Sequence, residues 1–393
     1  MKRVILFAFA LLTIGSAFAQ TVSVNDVYVR PGETAQFAVS LSGDKANTYT
    51  AMTLYVQFPA TGFTTTGAYT ISSSWLGAST TVGDVDKTGL ATIPFASPNA
   101  IPGSSVDNLV SISFAVGSNV DYGDYDVTLK GTMFEYNTSD KDYADDVTFT
   151  VHVTDKVVLD ENSPFAPIAY DSNQDIIVKR TIKANEWSTI CFPFPLPVAK
   201  LKAAIGDDDC QLMAFAGYEA EKDGDCVVGL KLNFTEVSVG ALAHTPLLIK
   251  TSRNVSEFEM TNTKLTTNNN PSTISTQLDY TTFEEVEIAR MQGTYQAGTI
   301  VPANSLFISG NKFYYSAGKT KMKAFRAYFT LQDVLTDVAN ASRITLSFDD
   351  SETAGIKTVD KKNSDKYYNL RGQQVETPAK GVYVKDGKKV IIK

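Results

Sequence analysis

From Thr21 to Thr154, apolar and polar residues alternate with a period of two. Phe37, Val39 and Leu41 share one parity, as do Met52, Leu54, Val56 and Phe58, then Ile112, Phe114 and Val116. The same holds for Tyr125, Val127 and Leu129, and for Val147, Phe149, Val151 and Val153. Successive strand residues face opposite sides of a sheet, so this alternation predicts strands with one buried face. Turn residues punctuate the runs at Pro31-Gly32, Gly43-Asp44, Pro59, Pro102-Gly103 and Gly123. No window sustains a 3.6-residue period. Residues 20–155 are therefore expected to form an antiparallel sandwich, jelly-roll or immunoglobulin-like.

The rest of the chain is also expected to be all-β. Residues 156–174 include DENSPFAPIAYDSN, with two Pro among acids and amides, and predict a linker. A second β-rich domain is expected over 175–350. Its predicted strands are Ile176–Ile182, Ser188–Phe194, Leu230–Phe234, Thr245–Lys250, Ser305–Ser309, Phe313–Tyr315, Ala324–Leu331 and Arg343–Phe348. One helix is expected at Val198–Ile205, where Val198, Leu201 and Ile205 share a face and Gly206 can take the left-handed cap. The polar run Thr261–Thr276 predicts a long exposed loop. Residues 351–393 form a short tail with three expected strands, Tyr367–Leu370, Gly381–Lys385 and Val390–Lys393.

Residues 1–19 have the form of a signal peptide: basic Lys2 and Arg3, an apolar run from Val4 to Ile14, then Ala17-Phe18-Ala19. That run is well short of the roughly 20 residues needed to span a bilayer. Cleavage is expected before Gln20, giving an exported protein with no transmembrane segment. The formal net charge is −8, or −10 without Lys2 and Arg3. Nucleic acid is not an expected partner, because binding it needs a supply of cations. Charge is unevenly spread: residues 20–355 carry 23 basic and 39 acidic side chains, whereas Ile356–Lys393 carries ten basic and four acidic. Three Cys and two His exclude dense metal ligation and a disulfide scaffold. Cys210 and Cys226 are the pair closest in sequence; a bridge between them and three buried thiols are both compatible with the pattern.

Catalytic constellations are sparse. His152 is out of phase with the apolar set of its strand and should face solvent, and His244 precedes Thr245-Pro246. No Gly-x-Ser-x-Gly elbow occurs. The acidic clusters Glu284-Glu285 and Asp207-Asp208-Asp209 are expected as solvated turns, and no enzyme activity is expected. Asp84-Val85-Asp86-Lys87-Thr88-Gly89 imitates half of a calcium loop, but Phe95 stands where a bidentate Glu is required. A hairpin turn is the better reading. Asp121, Asp124 and Asp126, or Asp207–Asp209, offer acids for a looser calcium site; otherwise no cofactor is expected. For ligand binding, the candidates are Trp75, Tyr55, Tyr69 and Tyr49, because exposed rings stack on sugars. Trp75, between Ser72–Ser74 and Gly77, is expected to be loop-borne and exposed.

Three stretches carry resemblances. Val22–Val24, Val29-Arg30-Pro31-Gly32-Glu33-Thr34, Leu54–Pro59 and Gly123–Leu129 resemble cohesin-like modules of secreted Bacteroidetes-type proteins. That resemblance implies a nine-stranded jelly roll, related to certain carbohydrate-binding modules, with a sheet face that grips a partner. Trp187–Pro195 (WSTICFPFP) looks like a segment common in large surface proteins of the same bacteria. The tail residues Tyr368, Leu370, Gly372, Gly381 and Tyr383, within YNLRGQQV and GVYV, resemble a type IX secretion sorting domain, though the tail is shorter than is usual. The combination implies an exported, non-enzymatic protein at the cell surface or secreted, acting in adhesion or scaffolding. The alternative is a carbohydrate-binding accessory protein. The expected partner is accordingly a surface protein or a glycan.

Overall fold

The computed structural model describes residues 20–138, 140–223, 226–279, 284–331 and 343–348, with the tail strands Tyr367–Tyr368, Gln374–Val375, Gly381–Lys385 and Lys388–Ile392. Residues 1–19, Leu370 and Gly372, to which the leader and part of the tail motif were assigned, lie outside the described residues. The protein is all-β apart from short helical pieces. It divides into two compact units. One takes in the chain up to Arg180 with Glu257–Leu265 and Tyr295–Gly298; the other takes in Thr181–Ser256, Thr266–Thr294 and the chain from Thr299 onward.

In the first unit the alternation becomes two sheets. The strands are β1 (Thr21–Ser23), β2 (Val27–Val29), β3 (Thr34–Ser42), β4 (Tyr49–Gln57), β5 (Phe63–Ile71), β6 (Ser79–Thr80), β7 (Leu90–Ala96), β8 (Ser105–Val116), β9 (Gly123–Leu129), β10 (Met133–Tyr136), β11 (Lys141–Tyr143) and β12 (Val147–Val153). One sheet has the order β1-β3-β8-β5; the other runs β11-β10-β4-β9-β12-β2, with β7 on β4 and β6 on β7. Pairing is antiparallel except between β2 and β12. The predicted parity holds: Phe37, Val39, Leu41, Met52, Leu54, Val56, Ile112, Phe114, Val127, Leu129, Phe149 and Val151 fill one shared core. Phe37 packs against Phe114 on the neighbouring strand β8 and against Phe149 from the opposite sheet, with centroids 6.2 and 5.1 Å apart.

The Asp84–Gly89 segment is the expected hairpin turn. The Asp86 carboxylate accepts from the Thr88 N–H and hydroxyl, both at 2.7 Å, and from the Leu90 N–H at 3.0 Å. Gly89 sits at φ +89°, and a Cβ there would meet the Phe58 carbonyl at 2.3 Å. Glycine is required on both counts.

The expected linker is not a free tether. It contains β13 (Val157–Asp160), which pairs in parallel with β14 (Gln174–Ile182). Glu161 follows, buried and 3.3 Å from the buried Arg180 guanidinium. A run of acids and prolines suggests solvent, but here one acid has a buried cation 19 residues on. Such a pair fixes its surroundings, since removing one partner leaves a desolvated charge.

The second unit is a further two-sheet sandwich. One sheet orders Ser188–Ile190, Leu247–Lys250, Gln211–Asp223, Cys226–Glu236 and Arg343–Phe348; the other orders Ser272–Asp279, Glu284–Thr294, Arg326–Leu331, Leu306–Ser309 and Lys312–Tyr315. Phe215, Leu232 and Phe234 from the first meet Met291, Leu306, Phe313 and Phe329 from the second. The expected helix α1 is Val198–Ile205, with Val198, Leu201 and Ile205 buried. Gly206 at φ 70° closes it, its N–H reaching the Ala203 carbonyl at 3.2 Å while the Asp207 N–H reaches Lys202 at 3.0 Å. This is the double-bonded left-handed cap the glycine foretold.

Two expectations fail here, and one open alternative is decided. Thr261–Thr276 is not one long loop: Thr261–Thr263 end the strand Val255–Thr263, Leu265 is fully buried, and a new strand starts at Ser272. Threonine's β-branching suits a pleated sheet, so the polar run disguised strand ends. Glu284-Glu285 opens a strand rather than a turn. Cys210 is a buried free thiol, so the Cys210–Cys226 bridge is absent. In the tail, Gln374–Val375 adds a fourth strand to the three expected, and Tyr368, Gly381 and Tyr383 lie on strands.

Candidate functional site

The four ring candidates do not assemble. Trp75 is loop-borne, as expected, but it is only 2% exposed and belongs to the first core. Its indole N–H donates to the Asn99 carbonyl at 3.0 Å, so the polar edge is satisfied inside. Tyr49 is also buried; its ring stacks on Phe134 at 4.9 Å and its hydroxyl donates to Asp142 at 2.7 Å. Burial, then the neighbouring carboxylate, pushes this phenol well above its ordinary value. Trp75 and Tyr49 are thereby corrected from binding residues to core residues. Small polar neighbours gave Trp75 the look of an exposed loop, whereas an amphipathic ring needs only one buried acceptor to turn inward. Tyr69, 41% exposed, sits on the edge strand β5. Tyr55 lies half-buried on β4, on the other sheet.

Around Tyr55 the outer face of the larger sheet carries something the sequence did not assemble. Inward Met52, Leu54 and Phe134 are buried, so Thr53, Tyr55 and Met133 lie outward. Register then draws a row across four strands: Tyr143 opposite Met133, Met133 opposite Thr53, and Thr53 opposite Pro94. Tyr143 is 60% exposed and Pro94 is exposed. The next row begins Lys141, Glu135 and Ala51. Lys141 and Glu135 are ion-paired at 2.8 Å on the surface. That hydrogen bond to Glu135 raises the Lys141 ammonium above its ordinary value, with Tyr143 and Tyr55 close enough to add. The patch thus has aromatic and thioether contact area with a charged border, which is how a protein-binding surface is composed.

One anchor sits behind this face. Asp142 accepts hydrogen bonds from Tyr136 and Tyr49 and pairs with Lys45 at 3.3 Å. The Tyr136 bond first, then that of Tyr49, holds the carboxyl below the usual carboxylate range. Asp142 lies between the two outward residues of β11, so these bonds fix the edge strand that presents Tyr143.

At the far edge, His152 is outward as its phase predicted. Its Nδ1 is 2.7 Å from Asp124 and its ring stacks on Tyr28 at 4.5 Å. Asp124 is thereby engaged with the histidine. Asp207 accepts from the Ser252 N–H and hydroxyl at 2.7 and 2.8 Å, which turns the first acid of that cluster into a loop clamp. Among the described residues, no three His, Cys, Asp or Glu side chains are grouped to hold a metal ion. Among the described residues, no helix is long and apolar enough to cross a membrane.

Within the first unit, β1 to β12 form a two-sheet β-sandwich with an exposed side-chain face. No protein-family model and no curated protein matches the chain. Among solved structures, it is similar to the cohesin–dockerin complex Coh-OlpA-Doc918 from Clostridium thermocellum, at 14% identity over 35% of this chain and 99% of that one, with a TM-score of 0.29. It is also similar to a cohesin module of a family 33 glycoside hydrolase from Clostridium perfringens, at 14% identity over 35% and 96%, TM-score 0.30. A third is a non-cellulosomal cohesin from the archaeon Archaeoglobus fulgidus, at 14% identity over 35% and 91%, TM-score 0.28.

Proposed function

We propose that the protein is an exported, non-enzymatic adhesion or scaffolding protein whose first sandwich grips a folded protein partner through the outer face of β11, β10, β4 and β7. The carrying observation is the row Tyr143, Met133, Thr53 and Pro94, with Tyr55 beside it and the Glu135–Lys141 pair at its border. Large side chains in the middle of a polar-rimmed patch supply most binding energy in such surfaces. The leader-like residues 1–19 and the sorting-like tail support display at the cell surface or release from it.

A photo-crosslinking residue at position 143 tests this, with one at Thr150, on the same outer face but beyond the patch, as control. The expected result is a discrete protein adduct from the host surface at position 143 only, lost when Met133→Ala and Tyr55→Ala are added. Equal labelling from both positions would refute the assignment. Retention on a glycan array that depends on Tyr55 or Tyr143 would instead support the carbohydrate-binding reading.

A further inference from the structure

The second unit holds a different kind of surface. In its sheet containing Leu306–Ser309, Lys312–Tyr315 and Arg326–Leu331, the residues Leu306, Phe313, Ala327 and Phe329 are buried in the core. The residues between them lie on the opposite face: Phe307, Lys312, Tyr314, Arg326, Tyr328 and Thr330. Pairing aligns them. Ser272 is opposite Gln292 and Gln292 opposite Tyr328; Leu306 opposite Phe329 brings Phe307 beside Tyr328; and Phe307 is opposite Tyr314.

One row therefore crosses five strands, polar at the Ser272 and Gln292 end and aromatic at Tyr328, Phe307 and Tyr314. Phe307 and Tyr314 stack with centroids 5.6 Å apart and planes 21° from parallel. Tyr314 is 44% exposed. The charged side chains in the two rows that flank this one are Lys312 and Arg326 on one side and Arg290 on the other, the last donating to the Ser272 hydroxyl at 3.3 Å. They stand out on a chain whose formal charge is −8.

We propose that this row binds an acidic polysaccharide, a chain of pyranose rings bearing carboxylates. Strands lie about 4.8 Å apart, which is close to the length of one hexose along its chain, so rings on neighbouring strands meet successive sugars. The apolar C–H faces of the sugars cover Tyr314, Phe307 and Tyr328. The sugar carboxylates meet Lys312, Arg290 and Arg326, guanidinium being suited to paired contacts with carboxylate. The Gln292 amide donates to the Pro271 and Gly293 carbonyls at 2.9 and 3.1 Å, which fixes it with its oxygen as an acceptor for a sugar hydroxyl at the polar end. The inference is separate from the protein-binding face of the first sandwich.

Affinity electrophoresis and calorimetry of the full chain with polygalacturonate test it, with dextran as the neutral counterpart. Polygalacturonate should bind and dextran should not, and raising the salt should weaken the complex. Tyr314→Ala should weaken binding at least tenfold with only a small drop in melting temperature, since the ring is exposed and loses just its cross-strand stack on Phe307; Tyr314→Phe should restore it. Arg290→Gln should weaken polygalacturonate binding as well. Tyr143→Ala, on the first sandwich, should leave it intact. Absence of binding by the folded chain, equal binding by Tyr314→Ala, or tighter binding of an oligodeoxythymidylate would each overturn the assignment.

Discussion

Replacing Trp75 by Ala asks whether a ring in a serine-rich loop holds the first sandwich together. The indole is 2% exposed and packed in the core of both sheets. A buried tryptophan removes about 200 Å² from water, and at about 25 cal/mol per Å² that is roughly 5 kcal/mol as an upper bound. Measured Trp→Ala losses of about 3–5 kcal/mol already include the cavity term. The bond to the Asn99 carbonyl, 3.0 Å long, contributes about 1 kcal/mol of this. We expect a loss of about 4 kcal/mol, a large part of the roughly 5–15 kcal/mol that holds a domain folded. Trp75→Phe should recover more than half, because it restores apolar area but not the hydrogen bond. Hydrogen exchange of β4 and β8 peptides under increasing urea reads the change directly. Fluorescence of Trp187, buried in the second unit, follows that unit in the same sample. A loss below about 1 kcal/mol would refute the packing argument, since it would mean that the ring leaves the core at little cost.

Other outcomes follow from single contacts. A Cβ on Gly293 would stand 2.4 Å from the Cys191 sulfur, so Gly293→Ala should lower the stability of the second unit by about 1–3 kcal/mol, as overpacking does; urea titration measures it, and Cys191→Ala added to it should recover part. The Cys210 thiol is pushed up to about 11, first by burial and then by the Asp207 charge. Maleimide labelling at pH 8, followed by peptide mass, should therefore be far slower in the folded protein than in urea, and equal rates would contradict the burial. Asp142 titrates below its ordinary value when folded. The folded state thus favours its ionised form, and this contribution is full above the unfolded pKa of about 3.9 and is lost as pH falls through the folded value. Melting temperature should drop on acidification from pH 5 to pH 2.5, and Asp142→Asn should flatten that drop. A titration unchanged by Asp142→Asn would sink the anchor role.

The fold was legible where one face is buried and the other wet. Val147, Phe149, Val151 and Val153 alternate with Thr148, Thr150 and His152, and a shift of one residue would invert every one of them. Helix α1 was legible for a similar local reason, since three apolar residues at helical spacing end at a glycine able to turn left-handed. Strands such as Gln211–Asp223, Val255–Thr263 and Glu284–Thr294 were not assigned. Their sequences mix charges and amides with the apolar residues, and their bulges, as between Phe215 and Gly217, break the parity on which the reading depends. Glu161 and Arg180 were hidden for another reason: burial of a charge is decided by a partner distant along the chain, and composition records only the charge.

The two faces proposed for binding were legible least, and the cause lies in the same period of two. Alternation tells which residues leave the core, but every outward residue of every strand satisfies it equally. A surface is made by register, which sets Tyr143 beside Met133, Met133 beside Thr53 and Thr53 beside Pro94, although these four are spread along the chain from position 53 to 143. Of that row's surroundings only Tyr55 was singled out. Trp75 and Tyr49 drew attention because large rings near polar residues look exposed, yet both satisfy their polar atoms inward, on a carbonyl and a carboxylate. Tyr314 and Phe307 drew none, although a hairpin of Ser309-Gly310-Asn311-Lys312 sets them opposite each other and keeps their rings on one side. A ring joins a continuous surface row only through the outward residues its cross-strand neighbours place beside it. That property belongs to the pairing of strands, so it is visible only once the sheet is assembled.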